Sequence, residues 1–282
     1  ARISQQVTLS TTVVTNAIVS GHIDPVDLYV VPGPGMNISH SFPVEPIIVK
    51  GYTDHRGMVQ ERIGAEAFKD LVDTKQENKR AAISAKFSVR NPKEELRLAS
   101  LLRDDYDFVS SCALLSGSLN FPRRTVSAYY NSAVASTFAN FKEQVTRALD
   151  ERGIIAPVYI LKADGGSLPL DKLVQSPVET AFTGPAASVL GLQALQTLRA
   201  KHGHMAVAID IGGTTTDISL WENGQPLMTK EGVAIEGYPS SIRSFLVRSI
   251  GVAGETAVRV IDGQLQVGPD RVGPSVALGG SV

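Results

Sequence analysis

The run Asp210-Ile211-Gly212-Gly213-Thr214-Thr215-Thr216-Asp217 places a carboxylate on each side of a glycine pair and three threonines. Glycine accepts positive φ and lets main chain come close to a ligand. The N–H groups of such a turn can cradle phosphate oxygens as an anion nest, and the hydroxyls of Thr214 and Thr215 add donors. Asp210, at a strand end, suits Mg²⁺, which keeps several waters and takes one or two carboxylates. Residues 205–211 alternate: Met205, Val207, Ile209 and Ile211 share one face, Ala206, Ala208 and Asp210 the other. In the next strand Thr215, Asp217 and Ser219 share a face opposite Thr216, Ile218 and Leu220. Both aspartates are therefore expected on one polar side of a strand-turn-strand unit. That order differs from a Walker loop or a dinucleotide fingerprint, which run from strand through loop into helix. A plain Gly-Gly hairpin with turn-capping acids is the alternative reading.

Other residues could join the chemistry. Asp164-Gly165-Gly166 follow a strand at 158–161, at a carboxyl end where α/β proteins gather ligands, or form an ordinary turn. Gly184 opens a helix whose N–H groups could face phosphate, or allows close packing. Thr11, Thr12, Thr15 and Asn16 could line a substrate pocket or cap a helix. Glu255 is a candidate acid/base or metal contact, or a loop acid. Arg123 and Arg124 could bind an acidic substrate group or pair with surface acids. Cys112, the only cysteine, reads as an inert thiol. His202 and His204 read as solvated loop residues rather than a metal pair.

The elements that must position these groups alternate. A short helix is expected at 11–19 after a Ser10/Thr11 cap, and strands at 28–31, 81–88 and 108–111. Asn91-Pro92-Lys93-Glu94 opens a helix running to 102. Residues 125–152 keep one apolar face at three-four spacing and predict a single long helix ended by Gly153. A helix from 184 to about 200 precedes the strand at 205–211. Asn223-Gly224 marks a two-residue hairpin, with a meander continuing through 226–233. Strands alternating with helices, then hairpins, predict an α/β fold. The domain change is expected between 178 and 205, and residues 1–180 and 181–282 are taken as the two domains.

Bulk properties narrow the function. The chain has 282 residues, 43% hydrophobic and 20% charged, enough apolar material for a folded core. Its net charge of −1 gives no basic excess for phosphate-backbone contact, so no nucleic acid partner is expected. One cysteine excludes an internal disulfide framework and fits a cytoplasmic setting. No apolar run approaches the roughly 18 residues of a membrane span. Both ends read as cuts in a longer protein.

The segment 210–217 resembles the second phosphate hairpin of the actin/Hsp70/sugar-kinase ATPase superfamily, and the helix from Gly184-Pro185-Ala186-Ala187 resembles its connecting helix. More narrowly, the chain resembles the hydantoinase A/oxoprolinase family. The matching stretches are Ser10-Thr11-Thr12-Val13-Val14-Thr15-Asn16-Ala17, Phe87-Ser88-Val89-Arg90-Asn91-Pro92, Pro122-Arg123-Arg124, Asp164-Gly165-Gly166, Pro177-Val178-Glu179-Thr180, Asp210 to Asp217, and Val267-Gly268-Pro269 with Arg271-Val272. Two family features are not matched: a glycine-rich hairpin upstream, and a denser glycine loop than Gly251-Val252-Ala253-Gly254-Glu255-Thr256.

The resemblance implies an α/β fold of actin-like ATPase (ribonuclease H-like) domains, incomplete at both ends: most of domain I, then the connecting helix and the start of domain II. It implies ATP and Mg²⁺ as cofactors and ATP-dependent opening of a cyclic amide such as a hydantoin, oxoproline or lactam. The amide oxygen would be phosphorylated and water would attack the activated carbon, with a B-type subunit or domain as partner. It assigns Asp210, Asp217 and Asp164 as catalytic, Gly212, Gly213, Thr214, Thr215, Gly184 and Gly165 to ATP, and Asp210 to the metal. The fragment alone is expected to be inactive. The alternatives are an ATP-binding assembly or regulatory protein of the same fold, an ATP-dependent ketone carboxylase subunit and, third, a sugar kinase.

Overall fold

The computed structural model describes residues 5–64, 78–196 and 205–272. The chain opens with β1 (Val7–Leu9), α1 (Val13–Val19), β2 (Val26–Val31), β3 (Ile47–Ile48), β4 (Tyr52–Thr53), β5 (Val59–Glu61) and β6 (Arg80–Ala85). It continues with α2 (Lys93–Leu102), β7 (Phe108–Ser111), α3 (Cys112–Leu115), α4 (Phe121–Ala133) and α5 (Ala135–Asp150). Then come β8 (Val158–Leu161), β9 (Ser167–Pro169), α6 (Leu170–Leu173) and α7 (Thr183–Gln196). Strands follow: β10 (Met205–Ile211), β11 (Thr216–Glu222), β12 (Gln225–Pro226), β13 (Ala234–Ile235), β14 (Tyr238–Pro239), β15 (Val247–Ile250), β16 (Thr256–Ile261) and β17 (Gln264–Arg271).

Two compact units divide the chain. The first holds residues 1–184 and 230–243, the second 185–229 and 244–282. The first is built on a parallel sheet in the order β3-β2-β6-β7. Every residue of β2 is buried, as expected for a parallel strand covered on both faces. Leu28, Val30 and Ala82 face a cluster with Val126, Tyr130 and Phe138, while Tyr29, Val31, Ala81 and Ile83 face Leu98, Ala99 and Leu102 of α2. Alternate residues of the same strands thus fill two cores. A second small sheet, β1-β8-β9, carries the turn with Asp164.

The long helix expected at 125–152 is two helices. Val134 leaves helical geometry at φ −108° and ψ 9°, and α5 starts at the next residue. The three-four spacing survives because i to i−4 bonds continue across the break, from Val134 N to Tyr130 O at 3.2 Å and from Phe138 N to Val134 O at 3.0 Å. The strand expected at 81–88 stops at Ala85, because Phe87 takes a positive φ of 63°.

The meander expected at 226–233 is replaced by an excursion. After β12, residues 230–243 join the first unit and form the β13-β14 hairpin. Arg123 of α4 holds that excursion: Nη1 donates to the carbonyls of Gly232 (3.4 Å) and Ser240 (3.2 Å), and Nη2 pairs with Glu231 at 3.1 Å. Gly232, at φ 108°, is required there, since a Cβ would collide with the Ser240 carbonyl oxygen. Ser127 Oγ on the same helix accepts from Ser241 N at 2.9 Å.

The second unit is an antiparallel sheet, β10-β11-β12, with β15 also on β11. Trp221 is fully buried and donates from Nε1 to Ser219 Oγ at 2.9 Å. Among the described residues β10 pairs with β11 only, and its apolar row Met205, Val207, Ile209 and Ile211 stays about 60% exposed.

Gly232→Ala should destabilise the first unit by about 2–4 kcal/mol, from strain plus the collision. Urea unfolding followed by circular dichroism measures it; an unchanged midpoint would contradict the close approach at Ser240.

Candidate functional site

The second unit forms the turn. β10 and β11 pair in register from Met205–Glu222 to Ile211–Thr216, which sets Asp210 directly opposite Asp217. Directly opposed residues of an antiparallel pair project to the same face, with Cβ atoms about 5 Å apart. The aspartates therefore share one side, as the alternation predicts. Residues 211–215 are exposed, Asp210 is exposed and Asp217 half-buried. The turn is open to a ligand rather than packed shut.

Main-chain bonds hold its shape. Gly212 N donates to Thr215 O at 3.0 Å, Gly254 N to Gly212 O at 3.0 Å and Glu255 N to Gly213 O at 2.8 Å. Thr216 Oγ1 donates to Val252 O at 2.6 Å, so the loop 251–255 is stitched beneath the turn. Neither Gly212 nor Gly213 takes the positive φ that the glycine pair suggests; what restricts Gly213 is crowding, since a Cβ would lie 2.7 Å from Glu255 Oε1. The Glu255 side chain thus lies against the turn, contact that its sequence position alone did not reveal. Ser249 Oγ donates a short bond to Asp217 Oδ1, set up by the β11–β15 pairing of Asp217 with Ser249.

The oxygen-only set formed by Asp210, Asp217 and neighbouring hydroxyls suits a hard cation. Among the described residues no group of three or more His, Cys, Asp or Glu side chains could enclose a metal. Two accessible carboxylates without a third fit a hydrated Mg²⁺ shared with phosphate oxygens, not an all-protein cage.

The first unit carries the other candidates. Asp164 sits in the β8–β9 turn, with Gly165 at φ 82°; its Oδ1 accepts from Gly166 N at 3.1 Å. Lys162 Nζ lies 3.4 Å from Asp164 Oδ2 and 2.9 Å from Glu179 Oε2, with all three side chains about four-fifths buried. Burial pulls the Lys162 ammonium pKa down, but the Glu179 hydrogen bond and the two carboxylate charges outweigh it, so the pKa is raised. The sequence reading did not single out Lys162, the ion-pair partner of Asp164; lysine directly after a buried strand gave no distinctive signal.

The threonines have partners. Thr183 is fully buried; its Oγ1 donates to Thr11 O (2.6 Å) and accepts from Thr11 N (3.3 Å). Thr15 Oγ1 accepts from Phe182 N at 2.8 Å, and Asn16 Nδ2 donates to Thr12 Oγ1 at 3.3 Å. A Cβ on Gly184 would meet Thr12 Cγ2 at 3.6 Å, ordinary contact. The start of α7 is therefore clamped to the start of α1 through the Thr183 hydroxyl on the Thr11 main chain and through the Thr15 hydroxyl on Phe182 N. Thr11 Oγ1 also accepts from Val13 N at 3.2 Å, capping α1 locally.

Cys112 is buried, and desolvation with the neighbouring Glu95 charge pushes its thiol up to about 12. It is not a nucleophile, in agreement with the sequence. Arg124 is not a surface residue: it is wholly buried. His202 and His204 lie outside the described residues, as does the helix beyond 196.

The fold is α/β: one unit holds a doubly covered parallel sheet and the other an antiparallel sheet with an open glycine hairpin. The chain superposes on acetone carboxylase with a TM-score of 0.72 at 19% identity, covering 95% of this chain and 42% of that one. On ATP-dependent caprolactamase from Pseudomonas jessenii the TM-score is 0.76 at 22% identity, covering 98% and 44%. The chain belongs to the hydantoinase/oxoprolinase family, whose profile matches residues 124–280, more than half its length. In sequence it is 28% identical over 199 residues to the caprolactamase alpha subunit of Pseudomonas jessenii, covering 68% of this chain and 28% of that subunit. It is 23% identical over 206 residues to an uncharacterised protein of Methanocaldococcus jannaschii, covering 68% and 30%. The chain thus spans under a third of the length of these relatives.

In the folded protein Cys112 should react with a thiol reagent at pH 8 at least ~10²-fold more slowly than in urea, because both burial and the raised pKa remove thiolate. Absorbance at 412 nm with Ellman's reagent measures it; equal rates would contradict the burial.

Proposed function

We propose that this chain is part of an ATP-dependent amidohydrolase that opens a cyclic amide of the lactam, hydantoin or oxoproline type. The observation that carries the reading is Asp210 set opposite Asp217 beside an exposed glycine turn. The caprolactamase relative supports the substrate class.

An amide carbon is a poor electrophile because nitrogen donates into the carbonyl. Transfer of the ATP γ-phosphoryl group to the amide oxygen, with ADP leaving and the N–H proton lost, would give an imidate phosphate. Water would add to its carbon, the C–N bond would break with the ring nitrogen leaving as the protonated amine, and a second water would release phosphate from the acyl phosphate so formed. The N–H groups of the 212–215 turn and the hydroxyls of Thr214 and Thr215 bind and orient the phosphate chain. Asp210, with Asp217 across the ladder, would hold Mg²⁺, which when bound neutralises developing phosphate charge. Glu255, lying against Gly213, is positioned to orient water beside the phosphate chain. Asp164, Gly165 and Gly184, all in the first unit, are further candidates for phosphate contact. A B-type subunit or domain is the expected partner, and the setting is cytoplasmic.

ATP-dependent carboxylation of a ketone shares the first step, phosphorylation of a carbonyl-type oxygen, and the acetone carboxylase superposition supports it as the second reading. In the full-length protein with its partner, lactams or hydantoins should stimulate ATP turnover at least ~10-fold. Stimulation only by a ketone with bicarbonate would favour the second reading, and nucleotide-driven assembly without either would exclude both.

Asp210→Asn in that full-length protein should lower Mg-ATP turnover by ~10³-fold or more, from loss of a metal-facing charge, with the melting temperature unchanged. Normal turnover would remove the assignment. Gly213→Ala should displace the Glu255 carboxylate and cut turnover at least ~10-fold while leaving stability nearly unchanged, since the crowded atom ends a flexible side chain. Steady-state phosphate release measures both.

A further inference from the structure

A buried cation in the first unit has half of its hydrogen-bonding edge unused. Arg124 of α4 is 0% exposed. Its Nη1 donates to Ser88 Oγ at 2.9 Å and to Cys112 Sγ at 3.0 Å, both uncharged groups. Nε and Nη2 are buried without a partner. These two nitrogens form the side-on edge of the guanidinium, where two parallel N–H bonds point the same way and match a pair of oxygens bidentately. A buried charged donor left unpaired is costly, so an empty fork calls for an occupant.

The neighbouring acid does not fill it. Glu95 is 1% exposed and already accepts four bonds: from Ser111 Oγ (2.5 Å) and Ala113 N (2.8 Å) on Oε1, and from Cys112 Sγ (3.1 Å) and Ala85 N (2.8 Å) on Oε2. It balances the guanidinium charge through Cys112 and leaves the fork open. The surroundings are hydroxyl-rich: Ser84 and Thr125 share a 2.6 Å bond, and Ser84 Oγ also donates to Cys112 Sγ at 3.2 Å.

The location fits a ligand. Ser88 lies three residues past the end of β6 and Cys112 directly follows β7, so Arg124 sits at the carboxyl ends of adjacent parallel strands. Open α/β sheets receive ligands at those ends. Phe87, beside Ser88, holds φ 63°, an outlier for a bulky residue and a kind of strain that clusters at ligand sites.

We propose that the Nε/Nη2 edge of Arg124 is a binding site for a small planar oxyanion, a carboxylate or bicarbonate. The ligand is held by two parallel charge-assisted bonds and enters when the 86–91 turn moves. The site is built from residues of the first unit alone, and its failure would leave the nucleotide reading intact.

The test is arginine Nε–H spectroscopy of the full-length protein labelled with ¹⁵N-arginine. Formate, acetate, bicarbonate and phosphate are added separately at constant ionic strength, with chloride as the control and time allowed for slow exchange. One Nε–H cross-peak, missing in Arg124→Lys, should move saturably with formate, acetate or bicarbonate and not with chloride. If Arg124→Lys does not fold, Ser88→Ala assigns the peak by shifting it through the other nitrogen of the same guanidinium. Response to formate and acetate alone identifies an organic carboxylate as the ligand, and response to bicarbonate alone identifies the inorganic ion. Response to phosphate alone, or to none of the four, overturns the proposal; in the last case internal water satisfies the fork.

Discussion

Pairing between β10 and β11 constrains the candidate site more than any other contact. A slip of one residue would turn Asp210 and Asp217 to opposite faces and break the shared polar side. Several contacts hold the register. Gly212 and Thr215 close the turn, and Thr216 is tied to Val252. Asp217 faces Ser249 across the β11–β15 pairing, and Trp221 anchors the far end of β11 in the core. At that end the Asn223-Gly224 turn has both residues at positive φ, 53° and 75°, the geometry whose twist matches paired strands. In the 212–213 turn neither glycine takes a positive φ; the constraint at Gly213 is crowding, because a side chain there would meet Glu255.

The first unit supplies rigidity of another kind. Its main sheet is buried on both faces, so the ends of β6 and β7 hold their loops firmly, and β8 of the smaller sheet carries the Asp164 turn. At those ends polar groups are bonded to one another: Lys162 with Asp164 and Glu179, Thr183 with Thr11, and Glu95 with four donors. Buried polar networks of this kind specify one arrangement, since each lost bond leaves an unsatisfied group in a low-dielectric setting. The Arg124 fork departs from that rule, and this is why it carries an inference when the saturated Glu95 does not.

The chemistry-bearing hairpin was legible because its signals are local. Alternation set the faces, Gly-Gly set the turn, and Asn223-Gly224 set the next hairpin. The strand Met205–Ile211 has the bounds its pattern indicates. Less local features were not legible. The break at Val134 leaves the apolar period intact. The excursion of 230–243 depends on Arg123 and on Gly232 lying under the Ser240 carbonyl, a contact across more than a hundred residues. Neighbouring residues of α4 point opposite ways, so Arg123 pairs with Glu231 while Arg124 is buried, a distinction absent from the dipeptide. The hydroxyls of Thr11 and Thr15 read as pocket lining or as a helix cap; in the fold Thr11 Oγ1 accepts from Val13 N, a local cap, while Thr15 Oγ1 accepts from Phe182 N, a distant bond that the sequence does not display.

The most direct test of the hairpin is calorimetric titration of the full-length protein with a non-hydrolysable ATP analogue, with and without Mg²⁺. The account predicts that Mg²⁺ strengthens binding and that Asp210→Asn abolishes this gain while leaving metal-free binding nearly unchanged. Equal strengthening by Mg²⁺ in wild type and variant would show that the acid at the turn does not face the nucleotide's phosphates.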